Sequence, residues 1–168
     1  MARRLVIDLE TCHQCDGCIV DCRYHYRPLP ADHGLRGLRE RATYLLVCRR
    51  CEEPSCIAAC AFDALERRDD GVLERHNLRC VSCMMCAHAC PFGTILSDML
   101  PFYDTPCDSC LDPAGAAEPP CVASCRRGGL EYREVGPDED SVHIVDEQLA
   151  ARACKWEKRE PQKGRGAE

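Results

Sequence analysis

Residues 80–91 read "CVSCMMCAHACP", four cysteines and a proline within twelve positions. Thiols are reactive and are rarely crowded this closely without a covalent or metal partner. The spacing C-x2-C-x2-C takes three thiols from seven consecutive residues, so one tight loop can wrap an object larger than a single ion. Zinc more often draws two separated C-x2-C knuckles together and closes a tetrahedron between them. Continued to C-x3-C-P, the run matches the bacterial pattern for [4Fe–4S] ligation, whose fourth cysteine serves a neighbouring cluster. The first three thiols and the fourth are therefore expected to hold different objects.

Working outward, the other cysteines fall into sets of the same kind. Cys12, Cys15, Cys18 and Cys22 repeat the spacing of Cys80, Cys83, Cys86 and Cys90. Cys48, Cys51, Cys56 and Cys60 widen the middle gap to four residues, and Cys107, Cys110, Cys121 and Cys125 widen it to ten. Each set opens C-x2-C and closes C-x3-C, and of the 17 cysteines only Cys154 is left over. This is an internal repeat. Short β-type runs precede two of the sets, "RLVIDLE" and "GVLERH". The closing cysteine is expected to start a helix, as in "CIAACAFDALERR" and "CVASCRRGGLEYRE". The predicted unit is strand, cluster loop, short helix.

Composition narrows the alternatives. A chain of 168 residues with one Trp, five Tyr and three Phe has a thin aromatic core, and bound metal would contribute folding energy that packing does not. A disulfide scaffold would fit a secreted chain. Here "MARRLVIDLETC" reaches its first cysteine at Cys12, which leaves no room for a signal core, and an odd cysteine count suits disulfides poorly. Apolar runs such as Leu45-Leu46-Val47 are too short to span a bilayer, so direct membrane insertion is not expected. The reading is a soluble cytoplasmic protein with reduced thiols, although a partner with an export signal could carry it across a membrane folded. A formal charge of −6 argues against nucleic acid. Nineteen of the 22 basic residues are Arg, and Arg49, Arg50, Arg79, Arg126 and Arg127 flank cysteines. They read as a solvated surface, or as cations offsetting the charge of metal centres. No catalytic triad, phosphate loop or dinucleotide fingerprint occurs, so no residue is assigned a catalytic role.

Taken together, "CRRCEEPSC", "CMMCAHACPFGTI" and "CDSC" resemble the four-cluster ferredoxin-like electron-transfer subunits of multisubunit oxidoreductases. The resemblance covers residues 5 to about 135. It implies an α+β fold of tandem bacterial-ferredoxin-like modules organised around four [4Fe–4S] clusters. Residues 1–26 and 101–135 would form an outer module and 45–100 an inner one. Residues 27–44 would be a connecting insertion, and 136–168 a C-terminal extension with a short helix and a frayed tail. It also implies that the sets pair first with fourth and second with third. Cluster 1 would then take Cys12, Cys15, Cys18 and Cys125, and cluster 4 would take Cys22, Cys107, Cys110 and Cys121. Cluster 2 would take Cys48, Cys51, Cys56 and Cys90, and cluster 3 would take Cys60, Cys80, Cys83 and Cys86. The 19 residues between Cys60 and Cys80 suit a single module; the outer pairing rests on the resemblance alone. Where the family often has Pro after the closing cysteine of the second and fourth sets, this chain has Ala61 and Arg126.

The implied partners are a large catalytic oxidoreductase subunit (a molybdenum or tungsten enzyme, or a hydrogenase) and a further redox subunit or soluble electron carrier. The implied role is a relay between them. A free polyferredoxin or a metalloenzyme-assembly accessory protein is the alternative, and a zinc-bound scaffold a remote one. His13 and His88 are expected to pack near clusters rather than ligate them, and Cys154 to sit half-buried in a C-terminal helix. Trp156 is expected to serve as a packing or docking anchor. The stretch "LDPAGAAEPP", residues 111–120, reads as a surface loop.

Overall fold

A computed structural model describes residues 3–15, 18, 20–21, 33–100, 107, 118–137 and 139–157. Cys22, Cys110, most of the 111–120 loop and the 160–168 tail lie outside the described residues. The architecture is α+β, with a four-stranded sheet, a separate two-stranded hairpin and short helices between them.

Strand β1 (Arg3–Asp8) is the "RLVIDLE" run and lies inside the larger sheet. Helix α1 (Leu9–His13) follows at once, because the Asp8 carboxylate accepts the Thr11 backbone N–H at 2.9 Å and caps it. One helical turn therefore carries Cys12 directly off the strand. Helix α2 (His33–Leu46) falls largely in the predicted connecting insertion and is the longest helix among the described residues. Its Leu35, Leu38, Ala42 and Leu46 recur at helical spacing and bury against the sheet. Tyr44 on another face packs into the core of the inner region, and Leu45 touches both cores.

Next come α3 (Ser55–Ala58), the hairpin β2 (Leu65–Arg67) and β3 (Leu73–Arg75), and α4 (Met85–Ala89). After them come α5 (Pro120–Ser124), β4 (Leu130–Glu134), β5 (Val142–Ile144) and β6 (Leu149–Arg152). The large sheet runs β4-β1-β6-β5. Strand β1 pairs antiparallel with β4 (Leu5 opposite Tyr132) and parallel with β6 (Leu5 opposite Leu149). Side chains alternate across it: Leu5, Ile7, Leu149 and Ala151 face α2, while Val6, Val142 and Ala150 form a small core with Val135.

Three expectations are corrected here. The closing cysteines do not start helices. Cys60 follows α3, and Cys90 and Cys125 are the C-caps of α4 and α5. The "LER" of residues 65–67 and the "LEYRE" of residues 130–134 are strands, paired with β3 and β1. The C-terminal extension is not helical among the described residues either. Leu149, Ala150 and Ala151 are all at 0% exposure, since β6 is an interior strand buried on both faces. That burial overrides the helical preference of Ala. The same residues make the extension part of the sheet rather than an appendage to it. Cys154 lies beyond β6 and is exposed, not half-buried. Trp156 is a packing anchor, its backbone N–H donating to the Leu46 carbonyl at 2.8 Å and its ring 5.2 Å from the Arg49 guanidinium.

Candidate metal centre

The repeat extends beyond the cysteines into the backbone. In each described C-x3-C, the third cysteine lies on a short helix: Cys56 on α3, Cys86 on α4 and Cys121 on α5. Pro54 and Pro119 start two of these helices from N-cap positions two residues before their cysteine. The closing cysteine then opens a turn. The N–H three residues on donates back to its carbonyl, from Asp63 to Cys60, Gly93 to Cys90 and Gly128 to Cys125, at 3.2–3.4 Å. All three turn residues have left-handed backbone, with φ of 49°, 61° and 67°. Gly93 and Gly128 adopt this freely, whereas Asp63 does so with some strain. In the second and third sets the residue before the second cysteine is also left-handed, Arg50 at φ 49° and Ser82 at φ 54°, whereas Gln14 of the first set is helical at φ −85°. These turns bend the chain sharply beside the cysteines of the second and third sets.

Three voids result. Cys48, Cys51 and Cys56 line one of them together with Cys90. A second is lined by Cys80, Cys83 and Cys86 together with Cys60. The third, an open cleft of about 900 Å³, is lined by Cys12, Cys15, Cys18 and Cys125. The closing thiol of one set thus stands with the opening three of another in all three places. Two contacts tie the first set to the fourth. The Asp21 N–H donates to Ser124 Oγ at 2.8 Å. An added Cβ at Gly129 would lie 3.2 Å from Thr11 Cγ2 and 3.3 Å from Cys12 Sγ. Gly129→Val should therefore push the Cys12 sulfur aside, at a cost of roughly 1–3 kcal/mol. Iron per chain, compared with wild type, should fall; unchanged iron and stability would show that the contact gives way harmlessly. Of the remaining set, Cys107 and Cys121 pack against the core between α2 and the sheet. Cys107 approaches α2 at Gly34, where a Cβ would stand 3.1 Å from its own.

The electrostatics of the thiols suit a cationic guest. Burial pushes Cys12 up to about 12, with Arg39 pulling against it, and pushes Cys86 up to about 11. Burial likewise raises Cys56. Buried thiolates at such sites need a positive partner to persist. Cys90 goes the other way. Burial would raise it, but the Thr94 hydroxyl (3.3 Å from its sulfur) and the N–H groups of Thr94, Phe92 and Ile95 bring it below the usual value. Among the described residues no three His, Cys, Asp or Glu side chains are arranged to hold a single metal ion. Zinc, with Zn–S bonds of about 2.3 Å, needs its sulfurs drawn to one point. The thiols here are instead spread around a void, three from one set and one from another.

Charged residues complete the surroundings. Arg49 and Arg50 line the void of Cys48, and Arg126 and Arg127 line the outer cleft, as their positions beside cysteines suggest. Two more arginines join them that sequence reasoning does not single out. Arg39 lines the outer cleft and pairs with Asp98 at 3.1 Å. Arg75 lines the void of Cys60, Cys80, Cys83 and Cys86 and pairs with Glu40. Leucine spacing in α2 could have placed Arg39 and Glu40 on a helix; nothing local joins Glu40 to Arg75. His13 lines the outer cleft, where burial and Arg39 lower its pKa. His88 lies on α4 and is exposed.

Cysteine rings on a ferredoxin-like α+β scaffold define an iron–sulfur protein. Residues 43–135 match the family model described as a 4Fe-4S dicluster domain, more than half of the chain, and the protein belongs to that family. It is similar to a component chain of the anaerobic dimethyl sulfoxide reductase of Escherichia coli, 28% identical, with 75% of this chain and 70% of the relative covered. An uncharacterised ferredoxin of Methanocaldococcus jannaschii is 31% identical over 75% of this chain and 76% of its own. A subunit of the tetrathionate reductase of Salmonella typhimurium is 29% identical over 74% of this chain and 54% of its own. No helix among the described residues is long and apolar enough to cross a membrane.

Proposed function

We propose that the chain is the electron-transfer subunit of a cytoplasmic oxidoreductase complex, binding four [4Fe–4S] clusters through sixteen cysteines. Clusters 1 to 4 take the four crossed ligand sets given by the family resemblance, with Cys22 and Cys110 completing cluster 4. Residues 1–26 with 101–135 act as the outer module and 45–100 as the inner one. The observation that carries this reading is the shared lining of each void by three cysteines of one set and the closing cysteine of another.

A bound [4Fe–4S] cluster supplies a one-electron store whose potential responds to hydrogen bonds, charge and solvent exposure. The chain supplies the rest. Four thiolates per site leave no iron position free for substrate, so the chain binds none. Left-handed turns bend the chain beside the thiols, and Thr94 and neighbouring N–H groups donate to Cys90. The substrate is handled by a larger catalytic subunit, a molybdenum or tungsten enzyme by the resemblance, and a second redox partner takes or delivers the electrons. Likeness to component chains of two multisubunit reductases supports the subunit reading. The similarity to a ferredoxin over three quarters of both chains favours a second reading, a free polyferredoxin.

Anaerobic purification separates these. Both predict roughly sixteen irons and as many sulfides per chain. The subunit reading predicts that the chain comes down with a much larger enzyme at native concentration. A fully loaded chain that purifies alone as a monomer would leave the polyferredoxin reading. Zinc in place of iron and sulfide would overturn both.

A further inference from the structure

The ion pair of Arg75 and Glu40 is buried, with side-chain exposures of 1% and 8%. Its geometry is bidentate: Arg75 Nε and Nη2 donate to Glu40 Oε1 and Oε2, both at 2.6 Å. That leaves Arg75 Nη1, which is buried without a well-formed hydrogen bond, and the Cys80 thiol is the further group with which the side chain interacts. A buried guanidinium donor without a partner is costly and rarely kept. The same side chain lines the void ringed by Cys60, Cys80, Cys83 and Cys86, and its charge interacts with the Cys80 thiol. Tyr44, one turn beyond Glu40 on α2, is buried against the carboxylate and helps exclude water.

We infer that Arg75 is a positioning residue that tunes the reduction potential of this one site. Its free N–H is aimed at the sulfur of the group bound by Cys60, Cys80, Cys83 and Cys86, while Glu40 holds it from behind. The inference rests on the iron–sulfur reading of that ring. Reduction adds one electron to the bound group and no bond is made or broken. A fixed cation and a donated N–H favour the more negative, reduced state and so raise the potential. Glu40 works in two senses. It clamps the fork, and its negative charge offsets part of the cation's effect. The arrangement therefore predicts opposite shifts when each partner is neutralised.

The test is an EPR-monitored redox titration of the cluster-loaded full chain. The signal lost in Cys83→Ser identifies the ring. Arg75→Gln should lower that midpoint and Glu40→Gln should raise it. Each shift should be at least tenfold in the reduced-to-oxidised ratio at fixed potential, or ~59 mV for a one-electron couple. The other midpoints should stay in place. Because Arg75→Gln leaves a buried carboxylate, the neutral double variant Glu40→Gln/Arg75→Gln is the safeguard, and it should load iron normally and titrate below wild type. A merely structural ion pair would instead lower iron content in the single variants without shifting the midpoint. Loaded variants with unmoved midpoints, or with shifts of the same sign, would overturn the inference. A wild-type ring without iron and sulfide would overturn the relay reading itself.

Discussion

Cys90→Ser is expected to abolish the cluster of Cys48, Cys51 and Cys56 and to spare the one nearest in sequence. The expectation is counterintuitive, because Cys90 closes the run that begins at Cys80. Its position explains it. Cys90 is the C-cap of α4, so the helix that carries Cys86 into one void ends by delivering Cys90 to another. A hydroxyl in its place has a far higher pKa than a thiol and is a poor ligand for iron. The three remaining thiols would hold an open, oxidation-prone site. Iron should fall by roughly four atoms per chain. The EPR signal lost should differ from the one lost in Cys83→Ser. If both substitutions remove the same signal, the crossed assignment of the inner sites is wrong.

Arg75→Leu should destabilise the chain strongly. It removes the cation and leaves the Glu40 carboxylate buried beside Tyr44. Removing one partner of such a pair typically costs about 3–5 kcal/mol, because the remaining charge is uncompensated. The double variant Glu40→Leu/Arg75→Leu should recover most of that loss, since two well-packed apolar side chains can replace a buried pair at little cost. Anaerobic urea denaturation of the loaded chain measures both. A single variant as stable as wild type would show that water reaches the carboxylate and that the pair is less enclosed than its exposures indicate.

Much of the site is legible in the sequence because ligand spacing is a local property. A thiol two residues from another reaches the same turn wherever that turn lies in the fold, so the four sets can be read without any tertiary information. Strand β1 is legible too, since Leu5, Val6 and Ile7 form an unbroken apolar run ahead of a capped turn. The segments after Cys60 and Cys125 mislead because "ALERR" and "LEYRE" are rich in strong helix formers, a local preference that the fold overrides. Pairing with β3 and β1 decides them. Leu149–Arg152 is harder still. Its partner Leu5–Asp8 lies more than 140 residues away, and nothing near it in sequence announces a parallel neighbour. The leucines of α2 do carry a helical spacing, easily overlooked beside the cysteines. The Glu40–Arg75 contact, 35 residues apart, exists only once that helix is set against the hairpin.

Helix α2 also bears on whether the repeat can be taken apart. Arg39 and Glu40 are adjacent residues, yet one lines the outer cleft and the other clamps the arginine of an inner ring. Gly34 on the same helix receives Cys107, and Leu46 receives the backbone of Trp156. Repetition in the sequence suggests units that could be excised, duplicated or exchanged. A fragment of residues 45–100 would keep eight cysteines and a complete inner pair of rings, but it would lose the anion that its buried arginine needs. The repeats are copies in sequence and interdependent in space. The inner half can be transplanted only with the helix that precedes it.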